Sequence, residues 1–84
     1  MKTELENIEL QHPLLLVETE KTVVKGNKGF FKVKVVNSAE ENKYKVGNIL
    51  FVDTNFLTEF TLDEQPYENI YLLNETMAKG KINA

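Results

Sequence analysis

The hydrophobic positions fall in short runs separated by glycine, proline and polar turns, and the runs are too short for helices of ordinary length. Leu14-Leu15-Leu16-Val17 is a continuous apolar stretch after Pro13, which predicts a strand buried on both faces and begun just past a residue with no N–H to give a ladder. Phe30 to Val36 alternates. Phe31, Val33 and Val35 share one face and Lys32 and Lys34 the other, the pattern of a half-buried strand. A polar loop, Asn37 to Asn42, and a tight turn at Lys45-Val46-Gly47-Asn48 lead into a third strand, Ile49-Leu50-Phe51-Val52. A fourth is expected over Phe56 to Leu62, with Phe56, Thr58, Phe60 and Leu62 on one side. Asp63 to Tyr67 reads as a hairpin turn, and Glu68 to Leu73 as a returning strand with apolar groups on both faces, hence central. Glu75 to Lys79 predicts one helical turn ended by Gly80 in the left-handed conformation, and Lys81 to Asn83 an edge strand. Leu5, Ile8 and Leu10 match neither period, so residues 1–12 are expected as an extended arm.

Five to six short strands and no regular helix predict an all-β fold, a small single-domain β-barrel or rolled sheet over residues 1–84, in which closure removes exposed edges. Alternation places Phe31, Val33, Val35, Ile49, Phe51, Phe60, Ile70 and Leu72 in one core. With 84 residues, 42% hydrophobic and 27% charged, the chain has the composition of a globular domain and none of the marks of a membrane span, a collagen repeat or a disordered tail. Folding at this length buries about 60–65% of the unfolded surface, which leaves little room for a deep catalytic pocket.

The absence of cysteine excludes zinc fingers, disulfide scaffolds and thiol catalysis. Every basic residue is a lysine, so no bidentate guanidinium is present to grip phosphate or guanine. The opening residues Met1 to Glu6 show no basic region followed by an apolar one, and a cytoplasmic setting without a membrane partner is the expectation. A nucleophile and base pair would have to be Ser38 with His12, but His12 reads as a surface residue ahead of Pro13 and Ser38 as a loop residue. Asp53, Glu59, Asp63, Glu64 and Glu68 make an acidic half whose spacing fits no calcium loop, so neither metal nor cofactor is expected. Lys21, Lys25, Lys28, Lys32 and Lys34, with Phe30, Phe31 and Tyr44, suggest an OB-like nucleic-acid surface, which the net charge of -3 and the missing arginines disfavour. Gly26-Asn27-Lys28-Gly29 precedes a strand, not the helix that a phosphate cradle opens.

Lys45-Val46-Gly47-Asn48-Ile49-Leu50-Phe51 resembles the K-V-G-D-x-V-x-F stretch of co-chaperonins of the GroES family, and Glu68-Asn69-Ile70-Tyr71-Leu72-Leu73-Asn74-Glu75 is similar to that family's E-x-Y-L-L-x-x-E segment. Leu14 to Glu18 takes the place of its early strand and Gly29 to Val36 that of the strand after its mobile loop, so the resemblance covers most of the chain. It implies a GroES-like barrel, a homo-oligomer, that binds a chaperonin through Thr22, Val23, Val24 and Gly26 and joins its neighbours by placing the arm at Ile8 and Leu10 beside Ile82 of the next copy. Three departures bear on function. Only Lys21 to Lys28 stands where the family has a long loop with a hydrophobic tripeptide, and the roof hairpin is cut down to Asn37 through Tyr44. The Asp-Arg pair that precedes the early strand is replaced by Pro13 and Leu14. The expected function is therefore that of a minimal, non-enzymatic co-chaperonin, with a bacteriophage capsid or virion component built on the same barrel as the alternative.

Overall fold

A computed structural model describes residues 2–24 and 29–83. The apolar run forms strand β1, Leu14–Glu18, which lies between β5, Gln65–Asn74, and β2, Phe30–Ser38. Its side chains alternate between two apolar clusters, Leu15 and Val17 on one face and Leu16 on the other, and all three are fully buried. Each such side chain contributes about 1.5–3 kcal/mol of hydrophobic stabilisation. Strand β3, Ile49–Asp53, pairs with β2 and with β6, Ala78–Ile82, while β4, Thr58–Leu62, pairs with β5. All pairings are antiparallel, and the sheet order is β4-β5-β1-β2-β3-β6.

Leu15, Val17, Val33, Val35, Leu50, Val52, Tyr71 and Leu73 come from four strands of this one sheet yet meet in a single cluster, with Tyr44 and Leu57. One face of a sheet packs on itself only if the sheet rolls up, so the protein is an all-β, single-domain roll. The hydrogen-bonded order does not join β4 to β6. At that seam side chains close the core, Leu57 ahead of β4 and Ala78 at the start of β6. The turn predicted at Lys45 to Asn48 is present: Gly47 has a φ of 98° and donates its N–H to Val35 O. The hairpin is tighter than expected, since Asp63 and Glu64 alone connect β4 to β5, both with positive φ.

Four expectations need correction. The single core is two clusters: Ile70, Leu72 and Phe60 pack outside the roll with Leu5 and Leu16, and β3 faces the opposite way, presenting Leu50 and Val52 inward instead of Ile49 and Phe51. In Ile-Leu-Phe-Val every residue is apolar, so alternation carries no phase. The arm is not wholly extended. Lys2–Glu6 form one helical turn, α1, whose Leu5 is buried on the outer face of the sheet. Glu75 to Lys79 give only a 3-10 turn, Glu75–Met77, capped by the Asn74 side chain, which accepts from Thr76 N, and β6 starts at Ala78. Gly80 therefore sits in a strand, opposite Phe51, and its backbone is not left-handed. Its small size is what counts there: a Cβ would lie 2.7 Å from the Phe51 ring. Finally, β4 begins only at Thr58, because Thr54–Phe56 form a 3-10 turn, so Phe56 does not share its face, whereas β5, paired on both sides with β4 and β1, is central as expected.

Candidate interaction surface

The segment after β1 is tied down at its start and exposed further on. Thr19 donates its hydroxyl to Lys21 O at 2.6 Å, Thr22 Oγ1 donates to Asn69 Oδ1 at 3.4 Å, and Val23 N donates to the Tyr71 hydroxyl at 3.2 Å. The Val23 side chain packs against the main core. Val24 follows it with 59% of its surface exposed. Tyr71 is placed to hold Val23 because β5 pairs it with Val17 on the inner face, so the core itself anchors this connection. Gly26, with Lys25 and Lys28, lies outside the described residues. Gly29 has a φ of 91°, and Phe30, 59% exposed, meets Phe51 edge to face at 5.8 Å. Phe30 and Phe31 line a concavity of about 290 Å³ together with Glu20, Lys21 and Lys32, which brings the two ends of the connection together.

The aromatics of the nucleic-acid reading do not converge. Tyr44 belongs to the main core, Phe31 shares the core-facing parity of Val33, and only Phe30 stands on the outer face. Lys34 is paired across strands with Glu18, which offsets part of the basic stripe. The structure does draw His12 and Ser38 toward one place, but Asn42 stands between them. His12 Nδ1 donates to Asn42 Oδ1 at 2.6 Å, and Asn42 Nδ2 donates to Leu14 O and to Ser38 Oγ at 2.7 and 3.2 Å. The Ser38 hydroxyl gives its hydrogen to Tyr44 O at 2.7 Å, and Glu75 takes the Lys43 N–H while sitting 3.8 Å from His12. Asn42 is 1% exposed with both ends of its amide satisfied, so the network braces three loops and leaves the serine oxygen without a base. Among the described residues no group of three or more acidic or histidine side chains is arranged to hold a metal ion. Asp53 instead accepts from Asn55 N at 2.9 Å, as a turn cap.

Ile8 and Leu10 pack on the outer cluster of their own chain, and Ile82 lies on β6 with 40% of its surface exposed. Within one chain these three are not brought together. What holds the arm was not foreseen: Asn37 Nδ2 donates to Leu5 O and Ile8 O at 2.7 and 2.6 Å. A bulge sets this up. Leu16 pairs with Asn37 and Val17 with Val35, so Val36 is an extra residue and both Val36 and Asn37 serve the outer side. A polar Asn directly after Val-Val, where β2 still continues, was the available signal. The Tyr67 hydroxyl adds a second tether by donating to the Glu4 carboxylate. No protein-family model matches the chain, and no curated protein is similar to it.

Proposed function

We propose that this domain acts by protein contact, as a minimal GroES-like co-chaperonin whose partner-facing segment is the connection from β1 to β2. The observation that carries the reading is Val24: a large apolar side chain left 59% exposed directly after Val23, which the core holds in place. Anchoring of one residue beside a free one lowers the ordering cost of binding, which otherwise runs to about 1–2 kcal/mol per residue. Fully enclosing Val24 is worth only about 1.5–3 kcal/mol, so a single copy binds weakly and several linked copies are needed for useful avidity. Capture of the full chain by a chaperonin with nucleotide tests this, compared with the double variant Val23→Ser and Val24→Ser. Capture is expected for the wild type and loss of it for the variant; capture that survives the change removes this segment from the interface. A second reading, a virion structural component, draws on the same anchoring, because a fixed apolar face suits a permanent contact, and no capture of an assembled wild type would favour it.

A further inference from the structure

The arm covers only one half of the outer face of the sheet. Leu5, Ile8 and Leu10 pack with side chains of β1, β4 and β5 and with Val36 at the far end of β2. Ile49 and Phe51 on β3 face outward, because Leu50 and Val52 take the interior, and they belong to neither apolar cluster. The register sets them in rows: Phe30 beside Asp53, Lys32 beside Phe51 and Gly80, and Lys34 beside Ile49 and Ile82. Because Gly80 has no side chain, the Phe51 ring lies against β6, where Phe30 meets it edge to face. The concavity at Phe30 and Phe31 shares Glu20 and Lys32 with a larger one, of about 720 Å³, that reaches Ile49 and Ile82. The two form one track along β2, aromatic at the Phe30 end, aliphatic at Ile49 and Ile82, with Lys32 midway. At a strand rise of about 3.3 Å per residue, the rows of Phe30 and Lys34 stand about 13 Å apart. Strand β1 ends at Glu18, opposite Lys34, so Lys32 has no strand neighbour on that side, and among the described residues it has no ion-pair partner. Asp53, at the aromatic end, is turned to Asn55 N.

We propose that this track binds an extended segment of another protein, one that carries apolar side chains at two positions four residues apart and a carboxylate midway between them. Alternate side chains of an extended chain share a face, so these three positions span the same about 13 Å and match the track row for row. The carboxylate meets Lys32, and the apolar ends meet Phe30 and Ile82. Single-stranded nucleic acid fits less well. Phe30 and Phe51 stand at 72° to each other, so no second ring face continues a base stack, and Glu18 and Glu20 border the track where phosphates would run. This inference does not rest on the chaperonin reading, whose contact is Val24, and its test needs no chaperonin. Amide NMR signals of the full chain are followed as the peptide Ser-Phe-Ser-Glu-Ser-Ile-Ser is added to millimolar concentration. Shifts are expected at Phe30 to Lys34, Ile49 to Phe51 and Gly80 to Ile82, and not on β4 or β5. Serine in place of the peptide's glutamate should weaken binding about tenfold, the loss of one charge-assisted contact. Lys32→Glu should weaken it by at least as much, and a peptide with lysine in place of its glutamate should bind that variant again. Far-UV circular dichroism checks that the variant is folded, and the serine peptide needs only the wild type. No shifts, shifts centred on β4 and β5, or binding indifferent to the peptide's glutamate or to Lys32→Glu would overturn the proposal. So would an oligonucleotide of thymidines that binds this face more tightly than the peptide, since the face would then belong to single-stranded nucleic acid.

Discussion

At the scale of single residues, the contact between Tyr67 and Glu4 links positions 63 apart in the sequence and ties α1 to β5. The carboxylate accepts the phenol hydrogen and thereby favours the protonated phenol, and burial and the negative charge of Glu4 and Asp63 act in the same direction, so the Tyr67 pKa lies above its ordinary 10.0. A pKa raised on folding stabilises the folded state at all pH below the ordinary value, and that contribution disappears as pH rises through the higher, folded value. The arm should therefore loosen in strong alkali. Glu4→Gln removes the charge, and the Tyr67 titration, followed by ring NMR signals, should fall back toward the ordinary range. Identical titrations in the two proteins would mean that the contact is not made in solution. Neither partner stood out in the sequence, because a surface tyrosine and a surface glutamate have no periodicity to betray them.

Among the elements, the β4-β5 hairpin shows local chemistry at odds with local geometry. Asp63 and Glu64 have φ of 53° and 66°, as a two-residue turn matched to the twist of a hairpin requires, but neither is the glycine that such a turn favours. Left-handed backbone costs a non-glycine residue about 1–2 kcal/mol, and glycine loses about 0.5–1 kcal/mol more chain entropy on folding. Glu64→Gly should thus stabilise the protein by about 0.5–1 kcal/mol, seen as a shift of the urea midpoint with the slope unchanged. A neutral or destabilising result would show that the acidic side chain holds the turn by some other contact. The irregular register of β5 against β4 involves the same kind of backbone. Four residues of β5, 67 to 70, lie between its pairing of Tyr71 with Glu59 and of Pro66 with Thr61, against Phe60 alone on β4, and Asn69, at φ 63°, is one of the four.

For the whole molecule, the arm decides how much of the sheet is covered. Leu5 is 3% exposed, and with Ile8 and Leu10 it shields Leu16, Ile70 and Leu72 on the outer face. Asn37 is the clamp, since it donates to the arm carbonyls of Leu5 and Ile8. Asn37→Ala should cost about 1–3 kcal/mol in a denaturant melt, because two acceptors lose their donor at a largely buried site. It should also raise hydrogen exchange in residues 5–10 before any change in β1. Exchange that rises uniformly over the chain would show that the arm does not open on its own.

The all-β class, the turns at Gly47 and after Leu62, and the positions of β1, β2 and β3 were legible in the sequence because each rests on local pattern: a continuous apolar run, a strict alternation, a glycine with positive φ. The core-facing side of β2 was legible for the same reason, since Lys32 and Lys34 leave Val33 and Val35 one face to occupy. Where every residue of a strand is apolar, as in Ile49 to Val52, the pattern has no phase, and only packing against β2 and β6 chose Leu50 and Val52 for the interior. The bulge at Val36, the closeness of Gly80 to Phe51, and the clamp of Asn37 on the arm depend on strands distant in sequence coming together. So does the track over β2, β3 and β6. The sequence holds Lys32, Phe51 and Ile82 far apart, but which strands become neighbours is set by the order of pairing in the folded sheet, and that order is a property of long-range hydrogen bonds and packing that no local window contains.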